Sequence, residues 1–238
     1  MVRHVFLVAL LGVCLHPAVG EVIFQDDFSD GDVIIPTKSV SGAMWVVGSG
    51  KFAADGADIG NYRPIAGELN FGVQEGASLQ VDFGPTEKDT ATVVKLNLRQ
   101  SNVSNASHRF DIVLSDKKSG KAFVVAMSPN AEFFGESGFA VFDGEGNLVA
   151  KGLDGALLKG DDQWQSLEVS MDGDGIIVKQ DEMLIVEWKD VRGTFAPDRL
   201  ALTSTSGGIS WFVNDVEIDA TLDQAALNKN TSSKPTWR

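Results

Sequence analysis

Apolar and polar residues alternate with a period of two along most of the chain. Clear examples are residues 79–83, 109–115, 167–171 and 211–218. Because successive side chains of a β-strand point to opposite faces, this pattern is typical of strands with one face in a core and the other in water. In the last run, Phe212, Val216 and Ile218 form one face, and Trp211, Asp215 and Glu217 form the other.

Segments rich in aspartate and glycine separate these runs, at residues 116–120, 143–147 and 172–175. Both residue types tolerate the backbone conformations that hairpin turns need. About a dozen short strands at a spacing of ~8–12 residues predict an all-β sandwich or barrel. Only residues 223–229 predict a helix, and the polar segment 230–238 follows it as a tail.

The first twenty residues have the organisation of a secretory signal peptide. Arg3 and His4 precede an apolar run of residues 5–15, and small residues at 18 and 20 offer a cleavage site before Glu21. The run is too short to span a bilayer. We expect residues 1–20 to be removed, 21–222 to form one β-sandwich domain without a transmembrane segment, and 223–238 to be the helix and tail. The mature protein would then be secreted or periplasmic.

The chain is strongly acidic, with 33 acidic and 20 basic residues and a net charge of −13. This charge repels phosphate and argues against nucleic acid as a partner. The only cysteine, Cys14, lies in the predicted leader, so the mature chain has neither a disulfide nor a thiolate site. Its one remaining histidine, His108, cannot by itself build a histidine metal site.

Two segments resemble known proteins. Residues 24–31 read FQDDFSDG, and residues 164–218 contain a W…L.V…DG..I.V hairpin followed by WFVNDVEI. Both are similar to motifs of the concanavalin A-like superfamily. The resemblance implies a two-sheet antiparallel jelly-roll sandwich. The superfamily contains lectins, laminin-G-like modules, laminarinase-type glucanases and secreted bacterial 3-keto-disaccharide hydrolase-type domains, and fold does not choose among their functions.

The carboxylates do not match a retaining glucanase, which needs two of them about 5 Å apart. Laminarinase-type jelly rolls supply them from E-x-D-x-x-E, and the nearest match here is residues 217–222, where Leu222 replaces the second glutamate. The sequence therefore favours a secreted carbohydrate-binding or surface-interaction module without its own catalysis. A glycoside-cleaving hydrolase of the 3-keto-disaccharide type and a structural envelope protein remain alternatives.

Aspartates in the first and last predicted strands suggest one structural calcium ion. No other cofactor is indicated. The resemblance implies that the first and last strands are neighbours. Their pairing would bring Asp26, Asp27 or Asp30 close to Asn214 and Asp215. Hard oxygen ligands of this kind suit calcium, and Asp27 and Asp215 are the candidate ligands.

Residues 91–99 and 108–115 suggest a hairpin with one polar face. If its loop is centred near Ser104, Arg99 lies opposite Arg109 and Asn97 lies opposite Asp111. These residues would share a face with Lys95, whereas the apolar side chains would point into the core. One arginine could be oriented by Asp111 and the other could bind sugar hydroxyls or a uronate. The predicted ligand is an oligosaccharide or polysaccharide, and a solvated face without a ligand is the alternative.

Aromatic residues provide a second set of candidate sugar contacts. Trp45 and Tyr62 lie in less regular segments, which favours loop positions from which they could touch a ligand. A tryptophan inside an alternating run belongs more often to the core, and Trp164 is expected to cap the sandwich.

Overall fold

A computed structural model describes residues 20–50, 67–71, 76–101, 108–130, 134–172, 175–189, 195–205 and 210–232. Two antiparallel sheets pack face to face. The eight-stranded sheet contains β1 (Glu21–Asp26), β2 (Lys38–Ser39), β4 (Leu69–Asn70), β6 (Thr92–Ser101), β11 (Gln165–Met171), β12 (Gly175–Gln180), β13 (Met183–Lys189) and β15 (Ser210–Ala220). The seven-stranded sheet contains β3 (Trp45–Ser49), β5 (Ser78–Asp82), β7 (Phe110–Asp116), β8 (Lys121–Met127), β9 (Phe139–Asp143), β10 (Leu148–Lys151) and β14 (Arg199–Ser204).

The strand order confirms the predicted fold class. The eight-stranded sheet runs β13-β12-β11-β6-β15-β1-β2, with β4 also paired to β15, and the other runs β10-β9-β8-β7-β14-β5-β3. The first and last strands are neighbours, with Asp26 opposite Val216. Non-sequential neighbours such as β6 and β15 are characteristic of a jelly roll rather than of a simple meander.

The core lies between the inner faces of the two sheets. Alternate residues of β6 and β7 enter it, and Val94, Leu98, Phe110 and Ile112 are almost fully buried. The inward orientation expected for the apolar residues of these two strands is therefore confirmed. Burying each such side chain stabilises the fold by about 1.5–3 kcal/mol.

The expected hairpin between residues 91–99 and 108–115 is wrong, because β6 and β7 lie in different sheets. The neighbours of β6 are β11 and β15, and those of β7 are β8 and β14. The chain crosses from one sheet to the other between the two strands. The polar face of β6 is therefore on the outer surface of the eight-stranded sheet, and that of β7 is on the outer surface of the seven-stranded sheet.

The alternation predicted for the last strand is also corrected. A shift of register between Asn214 and Glu217 interrupts the pairing of β15 with β6. Trp211 and Val213 therefore face the core before the shift, whereas Phe212 lies on the outer face against Arg99. A β-bulge adds one residue to a strand and so changes which residues face inward on its two sides.

The predicted helix is present as α1 (Gln224–Ser232). The Asp223 side chain accepts a hydrogen bond from the backbone N–H of Ala226 at 3.0 Å and caps its first turn. Among the described residues, no helix is long and apolar enough to cross a membrane.

Candidate functional site

A depression of about 340 Å³ lies on the outer face of the eight-stranded sheet. We call it the sheet-face pocket. Its lining comes from the central strands and the turn between β12 and β13, and consists of Lys95, Leu96, Asn97, Ser166, Leu167, Glu168, Lys179, Glu182, Asp215 and Glu217. Two residues of the predicted polar face, Lys95 and Asn97, are therefore in one pocket.

Lys95 is held by two carboxylates of β15. Its Nζ lies 2.7 Å from Asp219 and 2.9 Å from Glu217. The hydrogen bonds to Asp219 and then to Glu217 raise the pKa of Lys95 above its usual value. The ammonium group is therefore charged and fixed in position, although its side chain remains 44% exposed.

A bulge places Asp215 in the same pocket. Asp215 has a φ of +51°, a left-handed conformation that aspartate tolerates better than most residues. Its carboxylate accepts a hydrogen bond from Asn97 Nδ2 at 2.9 Å. Asn214, opposite Asn97 in the ladder, has a buried Oδ1 without a protein hydrogen-bond partner.

The opposite wall comes from β11 and β12. Glu168 and Lys179 face each other across these strands, and Lys179 Nζ lies 2.7 Å from the Glu168 carboxylate. A two-residue turn, Asp181 and Glu182, follows β12, and both residues have positive φ as a type I′ hairpin requires. Asp181 is fixed by a hydrogen bond from the backbone N–H of Ser166, and Glu182 is the turn residue that lines the pocket.

Arg99 lies farther along β6 on the same outer face. Its guanidinium group is paired with carboxylates of the protein itself. The group lies 2.7 Å from both Glu68 and Asp162. It also stacks on Phe212, 3.8 Å from the ring centroid, and lies 5.4 Å from that of Trp164. Because its side chain is only 9% exposed, Arg99 is a buried scaffold beside the pocket, and its role as a ligand contact stays a prediction.

Buried glutamines hold the segment that carries Asp162 and Trp164. Gln100 donates from Nε2 to the Lys159 carbonyl, and its own carbonyl accepts from the backbone N–H of Asp162. The Gln165 side-chain oxygen accepts from the Lys159 backbone N–H and from Gln180. These contacts fix the chain just before β11 and leave Trp164 half-buried at the end of the polar face. Sequence reasoning missed this network because its members are far apart in the chain.

Arg109 and Asp111 lie on the other outer surface, that of the seven-stranded sheet. Arg109 Nε is 2.5 Å from the Asp111 carboxylate, and its guanidinium lies over the Phe142 ring. Burial raises the pKa of Asp111, and the bond from Arg109 opposes that shift. The orientation of Arg109 by Asp111 agrees with the expectation, whereas their shared face with Lys95, Asn97 and Arg99 does not.

Trp45 is a core residue of β3 and not a loop contact. It is 1% exposed and packs edge-on against Phe24 and stacked on Phe28. Its Nε1–H donates to Asp26 at 2.7 Å. Burial raises the pKa of Asp26 to about 6, and the bond joins β1 of one sheet to β3 of the other. Tyr62 lies outside the described residues.

The two candidate calcium ligands have separate protein contacts. Asp27 accepts hydrogen bonds from Ser29 and Thr37, whereas Asp215 bonds to Asn97 on the side of β15 away from β1. No group of three or more acidic, histidine or cysteine residues suited to a metal occurs in the described part of the chain. The calcium site stays a prediction.

No protein-family model and no curated protein sequence matches the chain, but solved structures do. The Emp47p carbohydrate recognition domain has a TM-score of 0.56 at 10% identity, covering 86% of this chain and 97% of its own. The cellulose-induced protein Cip1 has a TM-score of 0.58 at 14% identity, covering 83% and 97%. The carbohydrate-binding module CBM66 from Bacillus subtilis has a TM-score of 0.51 at 13% identity, covering 74% and 95%. Such low identities establish the fold alone, and this chain is a two-sheet sandwich of the concanavalin A-like type.

Proposed function

We propose that this protein is an exported carbohydrate-binding module without its own catalysis, and that the sheet-face pocket holds its saccharide. The observation that carries the proposal is the lining of this pocket. Four neighbouring strands present ammonium, amide, hydroxyl and carboxylate groups around a single depression. Saccharides require such a dense set of donors and acceptors, and the rigid strands hold it in place.

The structural neighbours support a saccharide as the ligand. Two of them are named as a carbohydrate recognition domain and a carbohydrate-binding module. Their likeness to this chain lies in the fold, so the assignment of the pocket depends on the residues of this chain. Trp164 extends the polar face past Ser166 and offers a partly exposed ring beside it.

The charges in the pocket favour a neutral saccharide over a uronate. Lys95 is paired with Asp219 and Glu217, and Lys179 is paired with Glu168. Two further carboxylates, Glu182 and Asp215, line the same depression. An anionic sugar would meet an excess of negative charge within a few ångströms, and the acidic chain as a whole adds to the repulsion.

The positions of three acids in buried or half-buried surroundings support binding without catalysis. Burial raises the pKa of Asp26, Asp111 and Asp198, the shift expected of a carboxyl group that acts as a general acid. None of these three residues lines the sheet-face pocket. The pocket is therefore better suited to hold a saccharide than to protonate a glycosidic oxygen.

Calorimetric titration of the purified protein with neutral and uronate-containing oligosaccharides tests the proposal. Asn97→Ala and Glu168→Ala should each weaken binding of a neutral oligosaccharide about tenfold or more, the equivalent of one hydrogen bond to a charged or rigid group. Glu187→Ala is the matched control, because Glu187 forms an exposed ion pair with Lys189 on the edge strand of the same sheet, outside the pocket. Equal affinity in all three variants, or tighter binding of uronates, would contradict the proposal.

A further inference from the structure

A second cavity lies at the end of the sandwich, away from the sheet-face pocket, and we call it the end pocket. Its volume is about 510 Å³. Two hairpin turns, the β7–β8 turn and the β9–β10 turn, form its walls together with the end of edge strand β13. The lining residues are Ser119, Gly120, Lys121, Ala122, Phe123, Asp143, Gly144, Glu145, Val149 and Trp188.

The floor of the end pocket is aromatic. Trp188 is half-buried at the end of β13 and packs on Phe123, with ring centroids 5.5 Å apart. Phe123 in turn contacts Phe195 edge-on at 5.1 Å. The backbone of Trp188 is held closely against Gly175 on β12, where a Cβ atom would collide with the Trp188 carbonyl. Phe123 therefore packs against the indole ring and β12 holds the backbone of Trp188. Part of the indole surface faces the cavity.

Aspartate side chains fix the two turns that form the walls. In the first turn Asp116 accepts hydrogen bonds from the backbone N–H groups of Lys118 and Ser119. In the second turn Asp143 does the same for Glu145 and Asn147. Such side-chain caps give a turn a single conformation. The cavity walls thus exist before any ligand arrives, which lowers the entropy cost of binding.

The two walls also touch each other. A Cβ atom at Gly144 would lie only 3.2 Å from the backbone nitrogen of Ala122. Glycine at this position lets the second turn approach β8 closely and brings Asp143 and Glu145 beside Lys121. The hydrogen bonds from Asn147 hold the pKa of Asp143 below its usual value, so a carboxylate is present at the rim.

We propose that the end pocket is a second saccharide site, in which one neutral hexose unit lies over Trp188. The C–H face of a pyranose is apolar and fits an indole surface, and its hydroxyl groups extend sideways. The rim offers acceptors at Asp143 and Glu145, a hydroxyl at Ser119 and an ammonium at Lys121. These polar groups can make additional hydrogen bonds to sugar hydroxyls, which a purely apolar ligand could not form, and this favours a sugar over such a ligand.

Cellopentaose and maltopentaose are suitable probes, titrated calorimetrically and followed by tryptophan fluorescence. In Trp188→Leu, which keeps an apolar filler above Phe123, we expect about a tenfold or greater loss of affinity at one of two sites. Glu145→Ala, a change at the exposed rim, should weaken the same site without lowering the melting temperature. In the double variant Asn97→Ala, Glu168→Ala, the site at Trp188 should keep its affinity.

The outcomes separate the two sites. Binding that vanishes in the double variant and is unchanged in Trp188→Leu and Glu145→Ala overturns the second site and leaves the proposed function intact. Binding that vanishes only in Trp188→Leu and Glu145→Ala supports the end pocket and contradicts the sheet-face pocket. If neither oligosaccharide binds at Trp188, the saccharide assignment is wrong, and binding of the hydrophobic dye 1-anilinonaphthalene-8-sulfonate there would show that the cavity takes apolar ligands instead.

Discussion

The two outer faces of the sandwich follow the same alternation in sequence but have different environments. On the eight-stranded sheet the outward residues of β6, β11 and β12 form paired charges around an open pocket. On the seven-stranded sheet the outward residues Ala126 and Ala140 form a second small apolar cluster with Phe134, Val124 and Phe142. A polar position in a strand therefore shows only that a side chain leaves the main core, and what lies over it decides whether the face can bind a ligand.

Arg99 and Arg109 show the same difference at single residues. Arg99 bonds to the buried Glu68 and to Asp162 and stacks on Phe212. Arg109 forms an ion pair with Asp111, and its side chain is 25% exposed. Both arginines lie against an aromatic ring and pair with a carboxylate, but Arg99 and its partner Glu68 are more deeply buried than Arg109 and Asp111.

The largest expected effect is that of Arg99→Met. The substitution leaves Glu68 buried without its charged partner, and breaking a buried ion pair costs about 3–5 kcal/mol. Urea unfolding should show this loss. Arg109→Met is the matched control with a smaller loss, because the Arg109–Asp111 pair is more exposed to water than the Arg99–Glu68 pair. The double variant Arg99→Met, Glu68→Met should recover part of the stability, and equal losses for the two single variants would break the comparison.

Asp26, which joins the two sheets through its bond to Trp45, should make the free energy of unfolding depend on pH. Its folded pKa of about 6 lies above the ordinary value of 3.8, so the folded state keeps a proton that the unfolded state loses. Its contribution to stability is present below pH 4 and disappears as pH rises through 6, a change of about 3 kcal/mol. The difference in unfolding free energy between wild type and Asp26→Asn should follow this curve. A difference independent of pH between 4 and 7 would contradict it.

Removing the Phe134 ring from the outer face of the seven-stranded sheet should have an intermediate effect on stability. Phe134→Ala deletes the aromatic ring that packs on Phe142, Ala126 and Ala140. Burial of one phenylalanine side chain corresponds to about 2 kcal/mol, and thermal unfolding measures the loss. Phe134→Leu should retain most of the stability. If Phe134→Ala unfolds like the wild type, this outer face is as open as the other.

The smallest effect on stability is expected in the sheet-face pocket itself. Glu168→Ala breaks a partly exposed ion pair with Lys179, and such pairs contribute about 0–1 kcal/mol. Its melting temperature should match that of Glu187→Ala, while its affinity for a neutral oligosaccharide falls. A large loss of stability in Glu168→Ala alone would mean that the pair has a structural role.

Local chemistry made much of the fold predictable. The period-two runs identified the inward residues of β6 and β7, and the Asp-Gly segments at 116–120 and 143–147 are turns because these residues satisfy local backbone demands. The motif DFSDG and the closing strand led to the adjacency of β1 and β15. The sequence predicted the lining of the candidate sheet-face pocket only in part. Lys95 and Asn97 line the pocket, whereas Trp45 became a core residue through its hydrogen bond to Asp26, a partner nineteen residues away.

The sequence by itself determined most of the strands, their turns, the inward faces of β6 and β7 and the acidic charge, because each depends on residues close together in the chain. Only the tertiary structure decided which sheet a strand joins. β6 and β7 are consecutive, yet long-range pairing with β15 and β14 separates them, and no local pattern encodes the crossing. The bulge at Asp215 likewise exists only in the pairing with β6. It turns Phe212 towards Arg99 and Asp215 towards Asn97, and so it sets the position of the pocket.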